Sequence, residues 1–484
     1  MIRSVEIERA DRTMLVVAAV VALAIGVVAA AASPLIPLGA IATVLAIGLV
    51  WRRPIVGVYL FVAVVALLPF GVIPIPLAGT QLTFVDSIMI ATFSAMLARW
   101  VFTSDRLPRD PTSIALIAFV LVAIAAFVGG SGIGSITPEL VRRTGKLLAS
   151  LLFFLIARDL LNTTDRLAGM TRALILAGAV QGAIGAGLMA LSPLSQLTLL
   201  TRLEVIGYPS DNVLRYVPGP NATYTDQLRA IGTSVDPNVF AGTLMLALVL
   251  IVVQWASPRP VLRKSVLGLL ALPTAAGVLL SLSRASWAGL AIGLGFIGVL
   301  RYRRILVLGV IGAVCLLATP VAQSFIVRFV GGFSTADPAT AFRVGEYTNA
   351  LTLLGRYPLL GIGFGESPDI DVTAGVSSVY LLVAEQTGLL GLGVYVFALG
   401  AAWVIGLRGL RQMRDLRLQG IRAAFLAALT AALVTGLLDQ YFANQTFPHA
   451  VALFWLYAAV LVSASRLAGE PTCSEQPPPA TDRG

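Results

Sequence analysis

The sequence predicts an all-α protein, a polytopic transmembrane bundle of about 12–14 helices with a large extracytoplasmic loop. Three observations predict it. Of 484 residues, 57% are hydrophobic and only 12% are charged, and the mean hydropathy is +0.90; a soluble domain carries roughly 25% charged residues. Apolar runs of about 17–25 residues, enough to cross a bilayer, recur along the chain. The basic residues, which give a net charge of +10, sit in short clusters between those runs. That is the distribution of cytoplasmic loops under the positive-inside rule rather than of a nucleic-acid interface. Continuous apolar runs also exclude a transmembrane β-barrel, whose strands alternate and are shorter.

The elements follow in order. Residues 1–13 form a cytoplasmic N-terminus of mixed charge, and 14–32 is a first apolar run too long for an ordinary signal-peptide core, so it reads as a retained helix. Further helices are predicted at 36–51, 55–73, 84–102, 113–129, 145–157 and 168–191. After an outer loop at 192–231 come 232–254, 265–281, 286–300 and 305–320. The helices at 145–157 and 286–300 are short for spans. A second outer loop, 321–375, contains short helices, and the C-terminal spans are 376–406, 423–438 and 449–465. Residues 466–484, polar and proline-rich, are expected to be a disordered cytoplasmic tail.

With the N-terminus inside, "WRRP" (51–54), "SPRPVLRK" (257–264), "RYRR" (301–304) and "RGLRQMRDLRLQGIR" (408–422) face the cytoplasm. All but ten of the 34 Lys and Arg then fall on that side. Two distant cysteines, Cys315 and Cys473, and one histidine, His449, give neither a disulfide framework nor zinc-ligand spacing.

The exported charges carry the chemistry. Arg284 stands alone in "LLSLSRASWAGLAIG" (279–293). A snorkelling side chain explains an arginine near a helix end; an anion site at an outer helix junction, where guanidinium forks suit phosphate oxygens, explains it equally. In "DQLRAIGTSVDPNVFAG" (226–242), Arg229 precedes Asp236, Pro237 and Asn238. The "DPN" triplet reads either as a helix cap or as a broken helix presenting amides to an anion. In "FRVGEYTNALTLLGRYPLLGIGFGE" (342–366), Val344, Tyr347, Leu351 and Leu354 fit an amphipathic interfacial helix ended by a glycine-rich turn. No strand precedes that turn and no Lys-Ser follows it, so it is not a nucleotide-binding loop. Glu385 lies inside an apolar run, where a polar interhelix contact is the ordinary expectation.

Taken in order, "RAIGTSVDPNVFAG", "SLSRASWAG", "GEYTNALTLLGRYPLLGIGFG" and "YLLVAEQTGLLGL" resemble the O-antigen ligase and polymerase superfamily over roughly residues 225–400. The resemblance implies a C-type membrane glycosyltransferase of the bacterial cytoplasmic (inner) membrane with its active site on the extracytoplasmic side. Such an enzyme moves a glycan from an undecaprenyl-pyrophosphate carrier onto the hydroxyl of a glycan or lipid-glycan acceptor, with inversion and without metal or cofactor. It implies pyrophosphate binding by Arg229 and Arg284, and a similar role for Arg343. The bilayer, the donor and the acceptor are the expected partners, and nucleic acid is not.

One departure stands out. Ligases of this family carry a histidine-asparagine type pair at the positions occupied here by Ser377 and Ser378. Serine is not a neutral-pH base unaided, so the acceptor would be activated by Glu346, Glu366, Asp369, Asp371 or the distant His449. Asp369 and Asp371 are nearest in sequence and, with Glu346, are the expected catalytic carboxylates. Ser377, Ser378, Tyr347 and Tyr380 are expected to line the acceptor cavity. The missing histidine favours a polymerase or another surface-glycan transferase over a lipid A ligase. A polyprenyl-linked glycan flippase or a non-catalytic envelope scaffold is the alternative, although no pseudo-symmetric halves are visible.

Overall fold

The computed structural model describes residues 35–73, 82–103, 109–130, 136–209, 211, 213–218, 224–317, 338–367 and 371–469. The expected helix at 14–32 and the tail from 470 lie outside the described residues. The helices are α1 (Leu35–Arg52), α2 (Ile55–Leu67), α3 (Phe84–Thr103), α4 (Pro111–Gly130), α5 (Pro138–Leu160), α6 (Thr164–Met189), α7 (Pro193–Thr201), α8 (Pro237–Ala256), α9 (Lys264–Leu280), α10 (Arg284–Leu300), α11 (Arg303–Leu317), α12 (Pro338–Arg356), α13 (Val379–Leu407), α14 (Leu416–Thr435) and α15 (Pro448–Gly469). Two short strands, β1 (Arg215–Pro218) and β2 (Tyr224–Arg229), pair antiparallel. Seven of the described helices are long and apolar enough to cross a membrane; this is a multi-pass helical membrane protein.

Every expected span within the described residues is a helix, and its ends have local causes. The span expected at 55–73 stops at Leu67 because Leu68 precedes Pro69, and a residue before proline is pushed out of helical geometry. The span expected to be short, 145–157, runs from Pro138 to Leu160. Its added first turns are polar: the Thr137 hydroxyl accepts from Leu140 N, and Glu139 pairs with Arg142 and Arg143. That capped and charged start was invisible to a hydropathy window.

The chain divides into two compact units, residues 1–106 with 197–213, and residues 107–196 with 214–484. In the first, Thr83 and Asp86 form a capping box at the start of α3, with reciprocal bonds of 3.0 Å. In the second, α8, α14 and α15 are buried nearly all round, as expected of helices apolar on every face. Around them α10 packs on α14, α5 on α15, α4 on α13, and α9 on both α6 and α8. The α10–α14 contact is backbone-close. A Cβ on Gly289 would meet Thr435 Oγ1 at 2.1 Å, and one on Gly293 would meet Ala427 O at 2.8 Å. This is small-residue packing of the kind that joins helices where lipid removes the hydrophobic drive.

Candidate functional site

The region expected as an outer loop, 192–231, contains the β1–β2 ribbon, in which Arg215 stands opposite Arg229 and Tyr216 opposite Leu228. A two-stranded ribbon is marginal alone, and this one is pinned by its neighbours. Ala230 N donates to Leu280 O at 2.9 Å, Arg229 Nε to Ser281 O at 2.8 Å, and Arg215 Nε to Val235 O at 3.2 Å. Arg229 Nη2 also donates to Asn238 Oδ1 at 2.6 Å. One guanidinium thereby ties the end of β2 to the first turn of α8 and to the α9–α10 turn.

Both turns it touches are strained. Val235 and Leu282 have φ of 61° and 58°, a left-handed conformation that is rare for bulky and β-branched residues and costs about 1–3 kcal/mol. Such strain persists only where surrounding contacts hold it. Here Gln181 Nε2 on α6 donates to Thr233 Oγ1 and Ser234 Oγ, both at 3.0 Å. The "DPN" triplet is a cap: Asp236 Oδ1 accepts from Asn238 N and Val239 N, with Pro237 as the first helical residue. Arg284 opens α10 after the N-cap Ser283. A cation at the positive end of a helix dipole is electrostatically unfavourable by itself, and an anion at the same place reverses that balance.

Opposite this arginine-bearing edge lies a residue that the sequence did not single out. Asp439, between α14 and α15, is buried, and its Oδ1 accepts only the N–H of Gln440 at 3.0 Å. Its Oδ2 has no hydrogen-bond partner among the described residues. Burial pushes its carboxyl up to about 7, with the charge of Asp236 adding to the rise while Arg343, the Gln440 amide and Arg229 oppose it. Asp439 is therefore within electrostatic reach of two of the three predicted arginines. Tyr441 follows, buried, its hydroxyl 3.5 Å from Ser286 Oγ and packed where a Cβ on Gly242 would stand.

The predicted acceptor residues hold this segment in place. Tyr347 on α12 donates to Leu437 O at 2.7 Å and to Ser377 O at 3.4 Å; Tyr380 donates to Leu433 O at 2.9 Å. Ser378 Oγ donates to Gly436 O at 3.3 Å, and Val379 N donates to the same carbonyl at 2.8 Å. Glu346 Oε2 accepts from Ser377 N at 3.0 Å. Three of the predicted residues, Tyr347, Ser378 and Tyr380, thus bind the chain at 433–437, shortly before Asp439, and Glu346 holds Ser377 to α12.

The glycine-rich turn has a backbone role. α13 is broken at Gly388 (φ 66°, ψ −169°), which frees the carbonyls of Glu385 and Gln386. Ile362 N and Gly363 N fill them at 2.9 and 3.1 Å, and Leu389 N donates to Pro358 O at 2.8 Å. A Cβ at Gly388 would lie 2.2 Å from Leu359 O. Glu385 is not in the interhelix contact expected of it: its Oε1 accepts from Gly375 N at 2.8 Å, anchoring the outer loop.

Of the other expected carboxylates, Asp371 and Glu366 are among the described residues. Asp371 makes a two-pronged pair with Arg356 at 3.0 and 2.9 Å on the surface, and that guanidinium holds its carboxyl below the usual range. Glu366 is exposed, and Asp369 lies outside the described residues. His449 is buried in the first turn of α15 beside the ring of Phe447. Among the described residues no group of His, Cys, Asp or Glu is arranged to hold a metal ion.

The stretch that runs from the second motif to the last matches a known family. Residues 269–396 match the family described as O-antigen ligase. The matched stretch holds most of α9, then α10, α11, α12, the glycine-rich turn and most of α13, and so contains Arg284, Arg343, Ser377 and Ser378; Arg229 and Asp439 lie outside it on either side. No curated protein matches the chain. A chain from a solved structure described as "Structural coordination of polymerization and crosslinking by a peptidoglycan synthase complex" is 17% identical, with 74% of this chain and 98% of that one covered and a TM-score of 0.40. At that score the likeness carries no argument.

Proposed function

We propose that this ligase-family protein is an extracytoplasmic glycosyltransferase that moves a glycan from a polyprenyl-pyrophosphate carrier onto an acceptor hydroxyl, as a surface-polysaccharide polymerase or ligase. The observation that carries the reading is the buried carboxylate of Asp439, with an unpartnered oxygen, in electrostatic reach of Arg229 and Arg343. In this reading Arg229, Arg284 and Arg343 bind the diphosphate, and fixed positive charge stabilises it as its negative charge grows. Asp439, rather than Asp369, Asp371 or Glu346, takes the proton.

The reaction is a single displacement. The acceptor oxygen forms a bond to the anomeric carbon, and the bond from that carbon to the diphosphate oxygen breaks with inversion. The acceptor proton passes to Asp439 Oδ2, and polyprenyl diphosphate leaves. A carboxyl poised near 7 suits a base working near neutrality. At the positions where ligases of the resembled family carry a histidine-asparagine pair, Ser378 holds Gly436 of the 433–437 stretch and Ser377 is held to Glu346 on α12. The donor's lipid tail reaches the site laterally from the bilayer.

The test is transfer from a radiolabelled polyprenyl-pyrophosphate glycan by purified protein beside Arg229→Ala and Arg284→Ala. Arginine-dependent product supports the transferase, and its length distribution separates polymerase from ligase. Donor binding without product for any acceptor tried contradicts it.

A further inference from the structure

At the other ends of α8, α9 and α10, away from the arginines described above, five cations converge on one open cavity. Its walls come from three separate stretches of chain: the α8–α9 connection, the α10–α11 turn, and the short 3-10 turn after α13. Lys264, Arg301, Arg303, Arg304 and Arg411 line it, no carboxylate does, and its volume is about 690 Å³.

Topology accounts for basic residues on this side of a membrane, but not for their convergence on a cavity. Two of the five brace the walls. Arg411 Nε and Nη2 donate to Leu300 O at 3.0 and 2.8 Å, closing the last turn of α10, and Arg301 Nη2 donates to Gln419 Oε1 at 3.2 Å. Lys264 lies over the Trp255 ring, 5.8 Å from its centroid. Arg303 and Arg304 are exposed at the start of α11, where the helix dipole is positive as well. Part of the lining is apolar, from Ala256, Pro258, Val299 and Leu300, and Val299 is 70% exposed.

We infer that this cavity binds the phosphate headgroup of an anionic phospholipid, with the acyl chains lying along the apolar part of the lining. The chemistry it recognises is a phosphate mono- or diester: several convergent cations, backbone-braced, with no competing acid. Basic pockets between transmembrane helices on the cytoplasmic side are suited to such headgroups. Lys264, Arg303 and Arg304 contact the phosphate, and Arg301 and Arg411 shape its seat. The source is taken to be a lipid rather than a soluble phosphate because part of the lining is apolar, with Val299 exposed.

The experiment is native mass spectrometry of the full chain released from nanodiscs of equal phosphatidylglycerol and phosphatidylcholine. Wild type is expected to retain phosphatidylglycerol selectively. Lys264→Gln/Arg303→Gln/Arg304→Gln is expected to lose about 100-fold of that preference, since three basic residues near an anionic lipid surface together contribute about two tenfold steps. Arg303→Lys/Arg304→Lys, which keeps the charge, is expected to retain it, as is Arg166→Gln, a variant on the same side but outside the cavity. A monodisperse elution profile for each variant separates lost binding from lost fold. Equal retention of the two lipids by wild type, or undiminished phosphatidylglycerol on the triple variant, overturns the inference. Binding of inorganic phosphate with no lipid retained overturns the lipid source.

Discussion

Arg215 and Arg229 face each other across a two-stranded ribbon, and each guanidinium is fastened by its Nε to a backbone carbonyl of a strained turn. Like charges directly opposite on paired strands oppose pairing, so the arrangement is one that an anion would relieve. Arg229 also joins three elements, a role that needs its planar fork. Arg229→Lys keeps the charge and loses the geometry. We expect transfer to fall by more than about tenfold and stability to fall by about 1–3 kcal/mol, because Ser281 O and Asn238 Oδ1 lose their donor. Thermal unfolding and a transfer assay check both.

Asp439 makes stability depend on pH in a definite sense. Its folded-state pKa of about 7 lies above the ordinary aspartate value, so between about 4 and 7 the folded state holds a proton that the unfolded state releases. Its contribution to stability is therefore full below about pH 4 and declines as pH rises to 7. Asp439→Asn removes that decline. The variant is expected to melt at the wild-type temperature at pH 4 and above it at pH 8, and a series of melts in one detergent measures this. A variant that melts lower at both ends contradicts the burial argument.

Gly388 marks the break in α13. An alanine there would carry a positive φ and place its Cβ 2.2 Å from Leu359 O. Gly388→Ala is expected to cost about 2–4 kcal/mol and to undock residues 358–363 from α13. Limited proteolysis should then cut the 355–366 turn before any other described segment. An unchanged cleavage pattern with an unchanged melt argues against the backbone docking.

Asp371 separates the two assignments of the base. It is one of the two carboxylates nearest in sequence to Ser377, but it is engaged by Arg356 at the surface. Asp371→Asn is expected to leave transfer within about twofold of wild type, as for other exposed ion pairs. A loss comparable to that of an arginine variant would return the proton to the outer loop.

Much of this was legible in the residues. Apolar runs located every described span because period and length are local properties. The order of Arg229, Arg284, Arg343 and the glycine-rich turn pointed to the candidate site. Three things were not legible. The β1–β2 ribbon has no strand pattern that could stand alone, and it exists through bonds to Leu280, Ser281 and Val235 far away in sequence. The role of Ser378 and Tyr380 depends on a stretch some 55 residues later. Asp439 was visible as a carboxylate between two apolar runs, in "DQYFANQTFPHA", yet proximity in sequence pointed to Asp369 and Asp371. What brings it to the arginines is the packing of α14 beside α10 and α8, which a linear reading does not supply.

The central claim is that a buried aspartate beside the exported arginines takes the acceptor proton. The most direct measurement is the initial rate of glycan transfer from a radiolabelled polyprenyl-pyrophosphate donor between pH 5 and 9, for wild type and Asp439→Asn. The account predicts a wild-type rate that rises through a pKa of about 7, and a variant slower by about 10²–10⁴-fold with no such rise. A variant that transfers at the wild-type rate, or one that keeps the same pH profile, would contradict it.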